Sequence, residues 1–157
     1  MEKLLPNPMT LKLDILLIED NAMDTEFVIE QLKPNCHEGS IFWFKTGGEG
    51  LDFLFAIGQK KENVSQDIKL IILDLKLPGM NGLEFLRILK LYERTSSIPV
   101  VILTGSADEK DVNEAYKLGV NSYMQKPTSE KDFLKVISEI SQYWLNRNSE
   151  NIKSSTV

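Results

Sequence analysis

The chain contains one cysteine, Cys36, and one histidine, His37, among 157 residues. A lone cysteine excludes an intrachain disulfide framework and agrees with a reducing compartment. The two residues are neighbours where a turn is expected, so their side chains diverge and they read as loop residues, not as a nucleophile or a metal pair. No apolar run approaches the ~20 residues that cross a bilayer. Pro6, Asn7 and Pro8 break the first ten residues before a secretory apolar stretch can form, and a cytoplasmic protein is expected. Positive charge is also short: 18 Lys and Arg against 23 Asp and Glu leave a formal net charge of −5. That balance argues against nucleic-acid binding by bulk electrostatics. What remains is an ordinary globular composition, 42% hydrophobic and 26% charged, long enough to bury one substantial core.

Apolar strands and amphipathic helices alternate along that length. A strand is expected at 13–18, then a helix at 22–33 with Met23, Phe27, Val28 and Leu32 on one face, stopped by Pro34. A strand at 40–45 precedes a short helix bearing Leu51, Leu54, Phe55 and Ile57 and closed by Gly58. The polar stretch 59–67 reads as a surface loop. A strand at 69–74 runs into the turn at Pro78-Gly79 and a helix bearing Leu83, Leu86 and Leu89. A strand at 98–103 is followed by Ser106 and Glu109, spaced as a capping box for a helix that turns Val112, Ala115 and Tyr116 inward. Gly119 ends it. A strand at 121–125 reaches Lys126-Pro127, a candidate cis bond. Ser129 and Asp132 are spaced to cap a last helix carrying Phe133, Val136, Ile137, Ile140 and Trp144. Strict alternation of this kind predicts an α/β fold, a doubly wound, flavodoxin-like five-stranded parallel sheet of order 2-1-3-4-5. The expected divisions are an extension at 1–11, a domain at 12–147 and a tail at 148–157.

Four of the strands end in polar groups: Glu19-Asp20, Asp74, Thr104 and Lys126. In such a sheet, ligands bind outside the carboxyl ends of the strands, where strand order reverses. One acid at a strand end reads as a helix cap. Three carboxylates on one edge repel one another and raise at least one pKa, a strain that a hard cation such as Mg²⁺ relieves. A lysine aimed into that edge by a turn could be a simple salt bridge, but it also suits phosphate, which lysine binds as a point charge.

The segments Ile15-Leu16-Leu17-Ile18-Glu19-Asp20-Asn21, Leu73-Asp74-Leu75-Lys76-Leu77-Pro78-Gly79-Met80-Asn81-Gly82, Thr104-Gly105 and Lys126-Pro127 resemble the receiver domain of two-component response regulators over about residues 12–146. The resemblance implies that Asp74 takes a phosphoryl group from a histidine kinase. It implies Mg²⁺ held by Glu19, Asp20, Asp74 and the backbone carbonyl of Lys76. Thr104 and Lys126 would bind the phosphoryl oxygens. Tyr123 would turn into the space Thr104 vacates and reshape the face formed by the fourth helix, the fifth strand and the fifth helix. The pair Glu19-Asp20 stands where two aspartates are usual, and still ligates a metal. Lys76 and Ser106 occupy positions that tune phosphoryl lifetime in this family.

Only about ten residues follow the last helix, so the chain reads as a stand-alone receiver that acts by protein contact. The contact would be a target, a second copy of itself or a histidine phosphotransfer protein. The stretch 59–67 and the ending Ile140-Ser141-Gln142-Tyr143-Trp144-Leu145 resemble receivers that partner phytochromes, whose dimers use the same face. Tyr143 and Trp144 read equally as a packing anchor. Three rival readings compete with this one. A haloacid-dehalogenase-type phosphatase wants an acid where Lys76 stands, and a flavodoxin wants a phosphate loop where Glu19 and Asp20 stand. A degenerate receiver would have lost Asp74, Thr104 or Lys126.

Overall fold

Strands of continuous apolar residues require cover on both faces, and alternating helices provide it. The computed structural model describes residues 13–58 and 68–147. The expected extension, the stretch 59–67 and the tail lie outside the described residues. Strands β1 (Ile15–Ile18), β2 (Ile41–Phe44), β3 (Leu70–Leu73), β4 (Val100–Thr104) and β5 (Ser122–Gln125) form one five-stranded sheet, ordered β2-β1-β3-β4-β5. Every pairing is parallel. The order is the one expected, and it reverses between β1 and β3.

The helices are α1 (Ala22–Leu32), α2 (Gly47–Gly58), α3 (Gly82–Leu91), α4 (Glu109–Lys117) and α5 (Glu130–Ser141), with a single helical turn at Glu93–Ser96. Successive strand residues point to opposite faces, which divides the core in two. Leu16, Ile18, Ile71, Leu73 and Ile102 pack with Leu54 of α2, Phe85 and Leu89 of α3 and Ala115 of α4. Ile15, Leu17, Leu70, Ile72 and Val101 pack with Val28 and Leu32 of α1 and Phe133, Ile137 and Ile140 of α5. Each of these buried side chains larger than alanine contributes roughly 1.5–3 kcal/mol. The middle strands are buried throughout, whereas β2 and β5, at the edges, are half-buried or exposed.

Helix starts follow local chemistry. The side chains of Asn21, Asn81 and Ser129 accept the amides of Asp24 (2.9 Å), Glu84 (2.9 Å) and Asp132 (3.1 Å). Gly119, at φ +91°, closes α4 through bonds from its own amide to Tyr116 O and from Val120 N to Ala115 O, the pairing of a Schellman ending. Pro34 ends α1 by drawing Lys33–Asn35 into a tighter 3₁₀ turn.

Four expectations are corrected. Helix α4 is capped by Asp108, whose side chain accepts Lys110 N at 3.0 Å, so Ser106 lies before the helix and its hydroxyl donates to Asp111 Oδ2 at 2.9 Å. Tyr116 does not face inward: it is 51% exposed. Met23 is 65% exposed, because its position on α1 points away from the sheet while Thr25, Val28 and Leu32 face it. The Lys126-Pro127 bond is trans, as is every peptide bond among the described residues.

Candidate functional site

Register brings the acids together. Ile18 of β1 pairs with Leu73 of β3, so the next residues, Glu19 and Asp74, leave adjacent strands side by side. The amide of Asp74 donates to Ile18 O at 3.0 Å and that of Glu19 to Phe44 O at 3.1 Å. Glu19 is buried and Asp20, the next residue, is exposed, and one carboxylate oxygen from each of Glu19, Asp20 and Asp74 lies within 4.8 Å of the others. Thr104 is the fully buried last residue of β4. Its carbonyl accepts Lys126 N at 2.7 Å, which delivers Lys126 to the same edge.

The Lys126 ammonium occupies the middle of this cluster. It donates to Glu19 Oε2 (2.7 Å), Asp24 Oδ2 (2.9 Å) and Asp74 Oδ2 (2.9 Å). Burial disfavours its charge, but those carboxylates outweigh burial and hold its pKa above the ordinary lysine value. For Asp74 burial again opposes charge; the Lys126 ammonium and the Thr104 hydroxyl overcome it and lower the pKa. Glu19 is left the weaker acid. Burial, with the Asp74 charge added, pushes it up to about 7 against the opposing Lys126 hydrogen bond. Three carboxylates therefore share one ammonium, with Asp20 beside them, and the cluster carries uncompensated negative charge.

Each site residue is fixed by a neighbour. The Lys76 amide donates to Asp74 Oδ1 at 3.2 Å, and the Asn21 amide donates to Glu19 Oε1 at 3.1 Å. The Trp43 indole donates to Glu19 O at 2.7 Å. Gly82 has no side chain for a packing reason: a Cβ there would stand 2.3 Å from Asp74 O and 2.7 Å from Leu75 Cα. Tyr123 lies at the rim of the core, its hydroxyl donating to Ser106 O at 2.9 Å and its amide to the Tyr116 hydroxyl at 3.3 Å.

The sequence-predicted set of Glu19, Asp20, Asp74, Thr104 and Lys126 is thus gathered at one edge, with Tyr123 one turn of contacts away. Asp24 and Trp43 were missed. Asp24 reads from sequence as an acid favoured in the first turn of a helix, and nothing in the sequence shows that Trp43 spans from β2 to Glu19. Cys36 and His37 stand at the opposite end of the sheet, where His37 meets Asp14. In the last helix, α5 continues into a wider π-helical segment at Gln142–Arg147. There Leu145 is buried and Trp144 packs on the core, while Tyr143 is 52% exposed.

A five-stranded doubly wound sheet with clustered acids, a hydroxyl and a lysine at its carboxyl edge defines a signalling domain of the phosphoryl-accepting class. The chain belongs to the response regulator receiver domain family, whose pattern matches residues 15–138. Among its relatives, response regulator Rcp1 of Synechocystis is 36% identical over 131 residues, 83% of this chain and 88% of that protein. A probable methanogenesis regulatory protein, FilR2, of Methanothrix harundinacea is 36% identical over 135 residues, 85% of this chain and 84% of that protein. The crystal structure of Mn²⁺-bound Rcp1 superposes with a TM-score of 0.75 at 35% identity, covering 85% of this chain and 94% of that one. The phosphorylated cyanobacterial phytochrome response regulator RcpA gives 0.76 at 31% identity, covering 86% and 95%. As a receiver domain, the protein works in two-component signalling and implies a histidine kinase as its partner. The acidic cluster is of the kind that binds a divalent metal, and no described helix is long and apolar enough to cross a membrane.

Proposed function

We propose that Asp74 is the phosphoacceptor and that the protein catalyses only its own phosphorylation and dephosphorylation. The observation that carries this reading is the Asp74 carboxylate, buried yet kept ionised by Lys126 at 2.9 Å. A buried anionic oxygen is a competent nucleophile once a phosphoryl group is presented in line. An Asp74 oxygen bonds phosphorus as the phosphorus–nitrogen bond of a phosphohistidine breaks, and the departing imidazole retains the bonding pair and takes a proton. The product is an acyl phosphate.

Glu19, Asp20 and Asp74, with the carbonyl of Lys76, are the groups that would hold Mg²⁺. The donor set fits such an ion, being all oxygen and short of positive charge. Bound there, Mg²⁺ supplies neutralisation of phosphoryl charge. Lys126 neutralises another oxygen, and Thr104 offers its hydroxyl to a third, so positioning and electrostatics make up the chemistry. Thr104 moving towards the phosphoryl group frees space for Tyr123, and the α4–β5–α5 face changes shape. That change would control a downstream protein, a histidine phosphotransfer protein or homodimer formation. The likeness to the cyanobacterial phytochrome response regulator RcpA supports a phytochrome-type sensor kinase as the donor.

Incubation with acetyl phosphate and Mg²⁺, followed by intact mass, tests the reading. Wild type should gain one phosphoryl group and Asp74→Asn none. A wild type that gains nothing, or an Asp74→Asn that gains as much, overturns it.

A further inference from the structure

Helix α1 carries charge of one sign only, and of its acids Glu26 and Glu30 lie on the side turned to β2. It carries Asp24, Glu26 and Glu30 and no lysine or arginine. Asp24 is engaged by Lys126. Glu26 and Glu30, exposed and one helical turn apart, have no hydrogen-bond or ion-pair partner among the described residues. Like charges at this spacing destabilise a helix, so their retention without a cation leaves an unmet attraction for one.

Beneath them lies an apolar groove of about 280 Å³, floored by Ala22, Thr25 and Ile29 and walled by Trp43 of β2. The indole N–H is turned away to Glu19 O, so the ring offers its apolar body to the groove. The ring already holds one cation, Lys45 Nζ at 5.5 Å from its centroid, which an incoming cation would join or displace. An aliphatic floor, an aromatic wall and two unpaired carboxylates at the rim complement one kind of side chain, a long apolar stem with a cationic head. A guanidinium suits it better than an ammonium, because its plane stacks on an indole and its fork meets carboxylates in pairs.

We infer that the α1–β2 groove is a docking site for an arginine side chain of a partner protein. The arginine lays its stem along Ile29 and Trp43 and its guanidinium between Glu26 and Glu30. Through the Trp43–Glu19 hydrogen bond the groove adjoins the carboxyl edge of the sheet, so a partner anchored here stands beside the acidic site.

Titration of the full ¹⁵N-labelled chain with N-acetyl-arginine methylamide, followed by NMR, tests the inference. The Trp43 indole resonance is assigned by its loss in Trp43→Phe. Saturable shifts are expected at that indole and at the amides of Ile29 and Glu30. The uncharged citrulline analogue should bind at least fivefold more weakly, and Glu26→Gln/Glu30→Gln should weaken arginine binding by at least the same factor. These surface substitutions leave the core untouched and relieve the like-charge pair, so the thermal midpoint should not fall. An absence of saturable shifts at Trp43, equal binding of citrulline, or unaltered arginine binding by the double variant would overturn the inference.

Discussion

The two ends of the sheet each bury a carboxylate, and they treat it in opposite ways. At the amino end Asp14 Oδ2 accepts the His37 amide (2.8 Å) and the Ser40 hydroxyl (2.7 Å) and lies 2.9 Å from His37 Nδ1. Its other oxygen stands 3.3 Å from Lys69 Nζ. Burial opposes its charge, but these partners outweigh burial and set its pKa at about 2. At the carboxyl end Glu19, Asp24 and Asp74 crowd one ammonium, and Glu19 rises to about 7. A structural acid has donors enough of its own. The acids of the proposed site are left short of positive charge, a condition that favours taking up a cation.

The contrast is broken most severely at Lys126. Lys126→Met removes the shared ammonium, and phosphoryl uptake from acetyl phosphate should fall by roughly 100-fold or more. The carboxylates then repel without relief, so the variant should also be less stable at neutral pH and regain stability on adding Mg²⁺. Uptake at the wild-type rate, followed by intact mass over time, would remove Lys126 from the site. Asp14→Ala is the matching change at the other end. It leaves the Lys69 ammonium and the His37 amide without their acceptor and should cost about 3 kcal/mol in urea unfolding. Phosphoryl uptake per folded molecule should not change; a loss would mean that the two ends are linked.

The carboxyl end was largely legible in the sequence and the amino end was not. Glu19, Asp74, Thr104 and Lys126 each stand at the carboxyl end of an expected strand, and a parallel sheet with known crossover handedness must put such residues on one edge. Asp14 lies inside the first expected strand, two residues from Leu16, and nothing local shows that Ser40 and His37 converge on it from a different strand and turn. The same limit explains the displaced cap of α4. Ser106-x-x-Glu109 satisfies a local pattern, but Tyr123 and Asp111 claim the carbonyl and hydroxyl of Ser106, and Asp108 takes the cap. Tyr116 has helical spacing for burial, yet the half-covered edge strand β5 leaves its side in solvent.

Acid titration sharpens the comparison at a smaller scale. A carboxyl whose folded pKa is depressed contributes stability that is present above its unfolded pKa and lost as pH falls towards the folded value. For Asp14 the unfolded value is 3.8 and the folded value about 2, so about 2 kcal/mol should disappear between those limits. The quantity to measure is the difference in unfolding free energy between wild type and Asp14→Asn, which cancels the other carboxylates. It should shrink as pH falls from about 4 to about 2. A difference that stays constant would show that Asp14 is not held ionised by Ser40 and His37.

The smallest effect concerns the sheet edge at Tyr123. The Tyr123 amide points outward from β5 and donates to the Tyr116 hydroxyl at 3.3 Å, in a place water also reaches. Tyr116→Phe deletes the acceptor while keeping the ring, and water replaces it, so the loss of stability should be at most about 1 kcal/mol. Hydrogen exchange is the sharper measurement, because the Tyr123 amide loses its protein partner and should exchange faster in Tyr116→Phe, while the amide of Met124, on the β4 side of the strand, should not. Equal exchange of Tyr123 in the two proteins would show that Tyr116 does not tie α4 to β5. The contrast would then lie wholly between the two ends of the sheet and owe nothing to its edge.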